Sequence, residues 1–187
     1  MREAVTGHAT GMTKLLFAVT AADHWTLKDG SKHPTGFWAE ELVESHRTFI
    51  EAGFDVVVAT PGGTAPVVDE GSLSVDANGG DEAKVADQKE YLASIESTLQ
   101  KPLALEEQKA ADFDAIFVPG GHGPMEDLAV SSQFGALVSD FLDGGKLVST
   151  VCHAPAALLP ARRSDGAWAF DGYELTGFTD EEETQAG

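Results

Sequence analysis

A doubly wound α/β domain, with a mostly parallel sheet flanked by helices, is the fold class this sequence predicts. Three observations carry it. Lys14–Thr20 and Phe54–Thr60 are near-continuous apolar runs, the composition of strands buried on both faces. Between them Phe37–Ala52 places Trp38, Leu42, Val43, Phe49 and Ile50 on one helical face, which makes a βαβ unit and so a parallel pair. The strand–helix alternation continues through the chain without an internal repeat.

In order along the chain, Met1–Gly11 has no apolar periodicity and reads as a leader or disordered extension before a second methionine, Met12; the domain is expected over residues 12–187. The strand over Lys14–Thr20 leads into a polar loop, Ala22–Pro34. The helix over Phe37–Ala52 ends at Gly53, and the next strand stops at Pro61-Gly62-Gly63. Residues 64–82 have loop composition, Glu82 to about Leu99 is helical in pattern, and Leu103–Ala110 suggests a further short helix. Asp114–Val118 is a third strand, and Ser131–Leu142 is a helix with Phe134, Leu137, Val138 and Phe141 at core spacing. Gly145–Val151 reads as a fourth, buried strand, followed by Ala154–Leu159 as a helix with Pro155 in its first turn.

At 187 residues the chain is long enough for one domain with a substantial core. Its net charge of −19, from 31 acidic against 12 basic residues, argues against binding nucleic acid or an anionic membrane surface. Such acidity fits either adaptation to high salt or simply a well-solvated surface. One cysteine leaves no internal disulfide, in keeping with a reducing compartment. No stretch has the length of a membrane span and no basic-then-apolar signal opens the chain, so a cytoplasmic location is expected.

The lone cysteine, Cys152, falls on the turn between the fourth strand and its helix, next to His153. A single cysteine is more often a small core residue than a nucleophile. The strand–Cys–His–helix context favours the nucleophile, since the positive end of a helix lowers a thiol pKa and the adjacent imidazole supplies a base. Gly120-Gly121-His122-Gly123 also follows a strand. It is either a plain turn or a set of backbone N–H groups forming an oxyanion hole with the amide beside Cys152. His122 either packs near the site or takes part directly. In doubly wound sheets, ligands bind beyond the carboxyl ends of strands, where both segments lie. The six histidines show no paired spacing on one helix and a single cysteine cannot build a structural zinc site, so no metal is expected.

Taken together, Val118-Pro119-Gly120-Gly121-His122-Gly123, Val151-Cys152-His153-Ala154-Pro155-Ala156 and Thr35-Gly36-Phe37-Trp38-Ala39-Glu40-Glu41-Leu42 resemble the DJ-1/PfpI superfamily, a branch of the class I glutamine amidotransferase-like fold. Leu175–Glu183 is similar to the corresponding segment of its Hsp31-like glyoxalase III group. The resemblance runs from about Met12 to the end. It implies a flavodoxin-like sheet with Cys152 as nucleophile, His153 as its partner and Glu41, rather than Glu40, facing the thiol from the first helix. It implies Glu183 as the acid orienting His153, with Asp180 as a substitute, and Gly121, His122 and His153 as oxyanion and substrate contacts. The family pattern continues past Glu183 through a further strand and a terminal helix, so a sheet short of that strand and helix is expected here. Amidotransferase activity is disfavoured because no histidine follows His153. What the resemblance implies instead is a cofactor-free, glutathione-independent conversion of methylglyoxal, a small aldehyde, to lactate in a homodimer. The alternatives are deglycase or amidase-peptidase action, or a stress-response holdase chaperone or cysteine redox sensor.

Overall fold

The computed structural model of the protein describes residues 12–186; the leader or extension expected over Met1–Gly11 lies outside the described residues. Strand β1 (Lys14–Ala18) is followed by a hairpin, β2 (His24–Thr26) and β3 (Lys32–Pro34), then helix α1 (Ala39–Glu51) and β4 (Asp55–Thr60). Helices α2 (Glu82–Ser94) and α3 (Glu96–Leu99) lead to β5 (Leu103–Ala104) and β6 (Ala115–Val118). The chain then forms α4 (Gly123–Glu126), α5 (Ser132–Asp143), β7 (Leu147–Thr150) and α6 (Asp180–Ala186).

One parallel sheet has the order β5-β4-β1-β6-β7, with Leu16 of the central strand level with Val57 on one side and Ile116 on the other. The period-2 alternation of β1 splits its side chains between two cores. Leu16 and Ala18 join Ile116, Val118 and the Phe134, Val138 and Phe141 face of α5. Leu15, Phe17 and Val19 point the other way and pack with Phe37 and Leu42 at the start of α1. Each fully buried Leu or Phe of this kind contributes roughly 1.5–3 kcal/mol. The chain runs outward from β1 through β4 to β5, then returns to β1's other flank with β6 and β7. The loops after β1 and β6 therefore diverge from neighbouring strands and leave a crevice at their carboxyl ends.

Several local expectations are corrected. The segment expected as loop over Ala22–Pro34 contains the β2–β3 hairpin, whose edge backbone groups pair with each other rather than with the sheet. Leu103–Ala110 does not begin as a helix: Leu103 and Ala104 pair with Ala59 and Thr60, and short 3-10 turns follow. The helical pattern over Glu82–Leu99 is interrupted at Ile95, where φ is −105° and ψ is 9°. The fourth strand is an edge strand rather than a buried one, pairing with β6 alone among the described residues, and Leu147 is 76% exposed. Ala154–Leu158, expected as an α-helix, is a five-residue 3-10 turn. No helix of the described residues is long and apolar enough to cross a membrane.

Candidate active site

Three connections converge at the crevice. After β7 the Val151 N–H still donates to the Val118 carbonyl (3.3 Å), but Cys152 turns the chain sharply with φ of +57°, the single non-glycine residue with positive φ among those described. A side chain held in this left-handed region costs about 1–3 kcal/mol unless its surroundings enforce it, and such residues cluster at functional sites. After β6, Gly120 lies so near the cysteine that an added Cβ would sit 2.5 Å from Cys152 Cβ and 2.7 Å from Glu41 Oε2. Gly121 has φ of +92°, and a Cβ there would meet the Gly36 carbonyl at 2.4 Å. Both glycines are required by close backbone approach. The third connection is the start of α1, tied to this turn by Trp38 N–H donating to the Gly120 carbonyl (3.1 Å). Glu40 and Glu41 fall in the first turn of that helix, where its dipole favours carboxylates.

The side chains anticipated from the sequence come together here. Glu41 Oε2 accepts the Gly120 N–H at 2.8 Å, and the same carboxylate hydrogen-bonds the Cys152 thiol. Cys152 Sγ is 3.2 Å from His153 Nδ1, and His153 Nε2 is 2.9 Å from Glu183 Oε1. A carboxylate can only accept, so His153 Nε2 donates to Glu183, and in the neutral imidazole this leaves the Nδ1 lone pair toward the thiol. The amides of Gly121 and His153 also point at the sulfur. Glu183, on α6, is 46% exposed, while His153 is mostly covered. Glu40 instead pairs with Lys84 of α2 (2.6 Å), and Asp180 begins α6 without reaching His153. Glu41 and Glu183, not their neighbours, face the cysteine and histidine.

The electrostatics reverse one expectation. Burial pushes the Cys152 thiol up to about 12, reinforced by the Glu41 charge and opposed by the Gly121 and His153 amides. A thiol pKa lowered by a helix terminus was expected. The five-residue 3-10 turn supplies little dipole, and the buried carboxylate works in the opposite direction. Burial likewise raises the Glu41 carboxyl above the ordinary carboxylate range, against its hydrogen bonds from Cys152 and Gly120. Burial holds His122 below the ordinary imidazole value, with His153 adding to the effect.

A cavity of about 430 Å³ opens over the thiol, lined by Trp38, Glu41, Gly121, His122, His153 and Phe178, with Glu182 and Glu183 at one side. His122 stacks on Trp25 of the hairpin (ring centroids 5.3 Å apart, 13° between planes) and touches His153 (4.7 Å). The hairpin is held over the site by Thr26, whose N–H and hydroxyl both donate to Glu126 of α4 (2.8 and 2.9 Å). Phe178 stacks on His153 at 4.6 Å. Sequence reasoning missed Trp38 and Phe178 as lining residues and Trp25 as the ring that backs His122. Phe178 lies five positions before Glu183, so a segment delivering the acid also delivers the ring. Nothing local marks Trp25, because its contact depends on a hairpin with no apolar alternation. Among the described residues no group of three or more histidine, cysteine or acidic side chains is placed to hold a metal ion.

Comparison with known proteins agrees with this fold. A family model described as the DJ-1/PfpI family matches residues 33–169. The chain is 32% identical over 181 residues to the protein/nucleic acid deglycase HchA of Pseudomonas aeruginosa, covering 94% of this chain and 60% of that protein. It is 32% identical over 177 residues to the glutathione-independent glyoxalase HSP31 of Saccharomyces cerevisiae, covering 93% and 72%. The crystal structure of glyoxalase III from Candida albicans superposes with a TM-score of 0.78 at 25% identity, over 94% of this chain and 72% of that one. The chain thus spans about three fifths to three quarters of these relatives' lengths.

Proposed function

The chain belongs to the DJ-1/PfpI family, and from that premise we propose that it is a glutathione-independent, glyoxalase III-like enzyme converting methylglyoxal and water to lactate. The observation that carries the reading is the thiol placed between two proton acceptors, His153 Nδ1 at 3.2 Å and the Glu41 carboxylate, with two amides aimed at the sulfur. A thiol titrating near 12 is protonated at neutral pH, so attack requires a base at hand. His153 takes the proton, its Nε2–H held by Glu183, while sulfur bonds to the aldehyde carbon. The developing oxyanion is met by the Gly121 amide, and its protonation gives a hemithioacetal. Glu41, made more basic than an ordinary carboxylate by burial, removes the hydrogen on C1 and returns it to C2, leaving a 2-hydroxy thioester. Water cleaves the thioester to lactate and restores the thiol. No electron donor or acceptor is needed, because oxidation at C1 balances reduction at C2. The test is lactate formation from methylglyoxal without glutathione, expected to vanish in Cys152→Ala; turnover surviving that change sinks the proposal.

A second reading, deglycase action, is favoured by the 32% identity to the P. aeruginosa protein. It begins with the same thiol. Methylglyoxal adducts of N-acetylarginine should be cleared faster than they release free methylglyoxal, and clearance limited by spontaneous release rules it out.

A further inference from the structure

A second, more open hollow of about 360 Å³ also borders Cys152 and Phe178. It is bounded by Thr150, Val151, Pro155, Thr176 and Gly177, and it shares Cys152, Phe178 and Glu182 with the compartment that holds Glu41 and His153. The Phe178 ring is the partition: stacked on His153 at 4.6 Å and 23°, it remains 50% exposed. Sites of such volumes accommodate ligands well beyond a three-carbon dicarbonyl. The walls of the second compartment are largely apolar. The one charged side chain at its edge, Glu182, accepts from Thr179 N–H (2.8 Å) and Thr179 Oγ1 (2.9 Å), which holds its carboxyl below the ordinary range and keeps it ionised.

We propose that this second compartment is a subsite for the carbonyl substituent of a larger substrate, an uncharged 2-oxoaldehyde with an aromatic or branched group, and that Phe178 sets its size. The proposal rests on the glyoxalase reading above. The reacting carbonyl lies over Cys152 beside Glu41, while the substituent crosses beneath the Phe178 edge toward Pro155 and Gly177. Apolar surface there favours an uncharged group, and the Glu182 carboxylate at the rim disfavours an anionic one.

Two variants and two readouts test it. A Cβ built on Gly177 meets nothing within 4 Å, so Gly177→Leu adds an isobutyl group at the compartment's wall without displacing backbone. The kcat/KM ratio of phenylglyoxal to methylglyoxal is expected to fall about tenfold or more, the scale on which a pocket discriminates by a few carbon atoms. Phe178→Ala, which removes the partition at a half-exposed position, is expected to raise the same ratio even as loss of the His153 stack slows both substrates. Alkylation of Cys152 by phenacyl bromide relative to iodoacetamide provides the readout independent of turnover, and both variants should shift it in the same directions. Ratios unchanged in both variants overturn the subsite. A wild-type protein that turns over neither dicarbonyl, yet shows the shifted alkylation ratios, loses the glyoxalase reading and keeps the subsite.

Discussion

Replacing Glu41 with glutamine should make Cys152 more reactive and the protein less active. The thiol is held near 12 first by burial and then by the negative charge and hydrogen bond of Glu41. Glutamine removes the charge and leaves burial in place. Two unit charges about 4 Å apart interact by ~4 kcal/mol at an effective dielectric of 20 and by ~1 kcal/mol in water. At 1.36 kcal/mol per pK unit, Glu41→Gln is expected to lower the Cys152 titration by about one to three units. Burial keeps the result at or above the ordinary thiol value. The assay is the pH dependence of Cys152 alkylation by iodoacetamide, checked by thiolate absorbance near 240 nm. Lactate formation should meanwhile fall by roughly 10²–10⁴-fold, the usual contribution of a positioned acid–base group. A disrupted site would also expose the thiol and lower its titration, so the two readouts are taken on a variant whose thermal unfolding midpoint matches wild type. A titration that stays at 12 or rises refutes the argument, because Glu41 is then not ionised beside the sulfur.

Glu183→Gln should lower kcat/KM about tenfold or more while leaving thermal stability nearly unchanged, since the carboxylate is half-exposed and an amide oxygen still accepts from His153 Nε2; unaltered kinetics show that His153 does not need the Glu183 charge. Gly120→Ala places a methyl group 2.5 Å from Cys152 Cβ, 2.7 Å from Glu41 Oε2 and 2.8 Å from the Val151 carbonyl. Urea unfolding should show a loss of about 1–3 kcal/mol, the usual cost of overpacking, and a stability equal to wild type contradicts the packing described. The His46 ring, buried between α1 and α2 with Nδ1 2.9 Å from the Tyr91 hydroxyl, is held by burial below the ordinary imidazole value of 6.5. The unfolded chain therefore gains its proton first as pH falls, and stability present above pH 6.5 is lost below it. The slope of unfolding free energy against pH just below 6.5 should be shallower in His46→Phe than in wild type, and equal slopes refute the assignment.

Much of the fold was legible because its determinants are local and repetitive. Continuous apolar runs such as Leu15–Val19 fit a strand covered on both faces, and the spacing of Trp38, Leu42, Val43 and Phe49 selects a helix lying on one of those faces, although Ile50, expected on the same face, is 48% exposed. The hairpin was not legible, since His24-Trp25-Thr26 and Lys32-His33-Pro34 carry no alternating pattern and are stabilised by their mutual ladder and the Thr26–Glu126 bonds. Nor was the edge position of β7, because Leu147 and Val148 are as apolar as residues of a central strand while Leu147 faces solvent.

The sequence by itself determined the parallel α/β architecture and the chemical types at the site: one thiol, one adjacent imidazole, carboxylates on the first helix and in the last segment, and glycines where chains must approach. These follow from residue identity and short-range spacing. The roles of Glu41 and Glu183 were implied by the family resemblance; only the tertiary structure decided that Glu40 turns to Lys84 and that Phe178 borders both hollows beside Cys152. It also decided the protonation of the thiol. A turn near a helix start suggests a lowered pKa, but desolvation depends on everything packed around the sulfur, and a carboxylate 111 positions earlier in the chain adds to it.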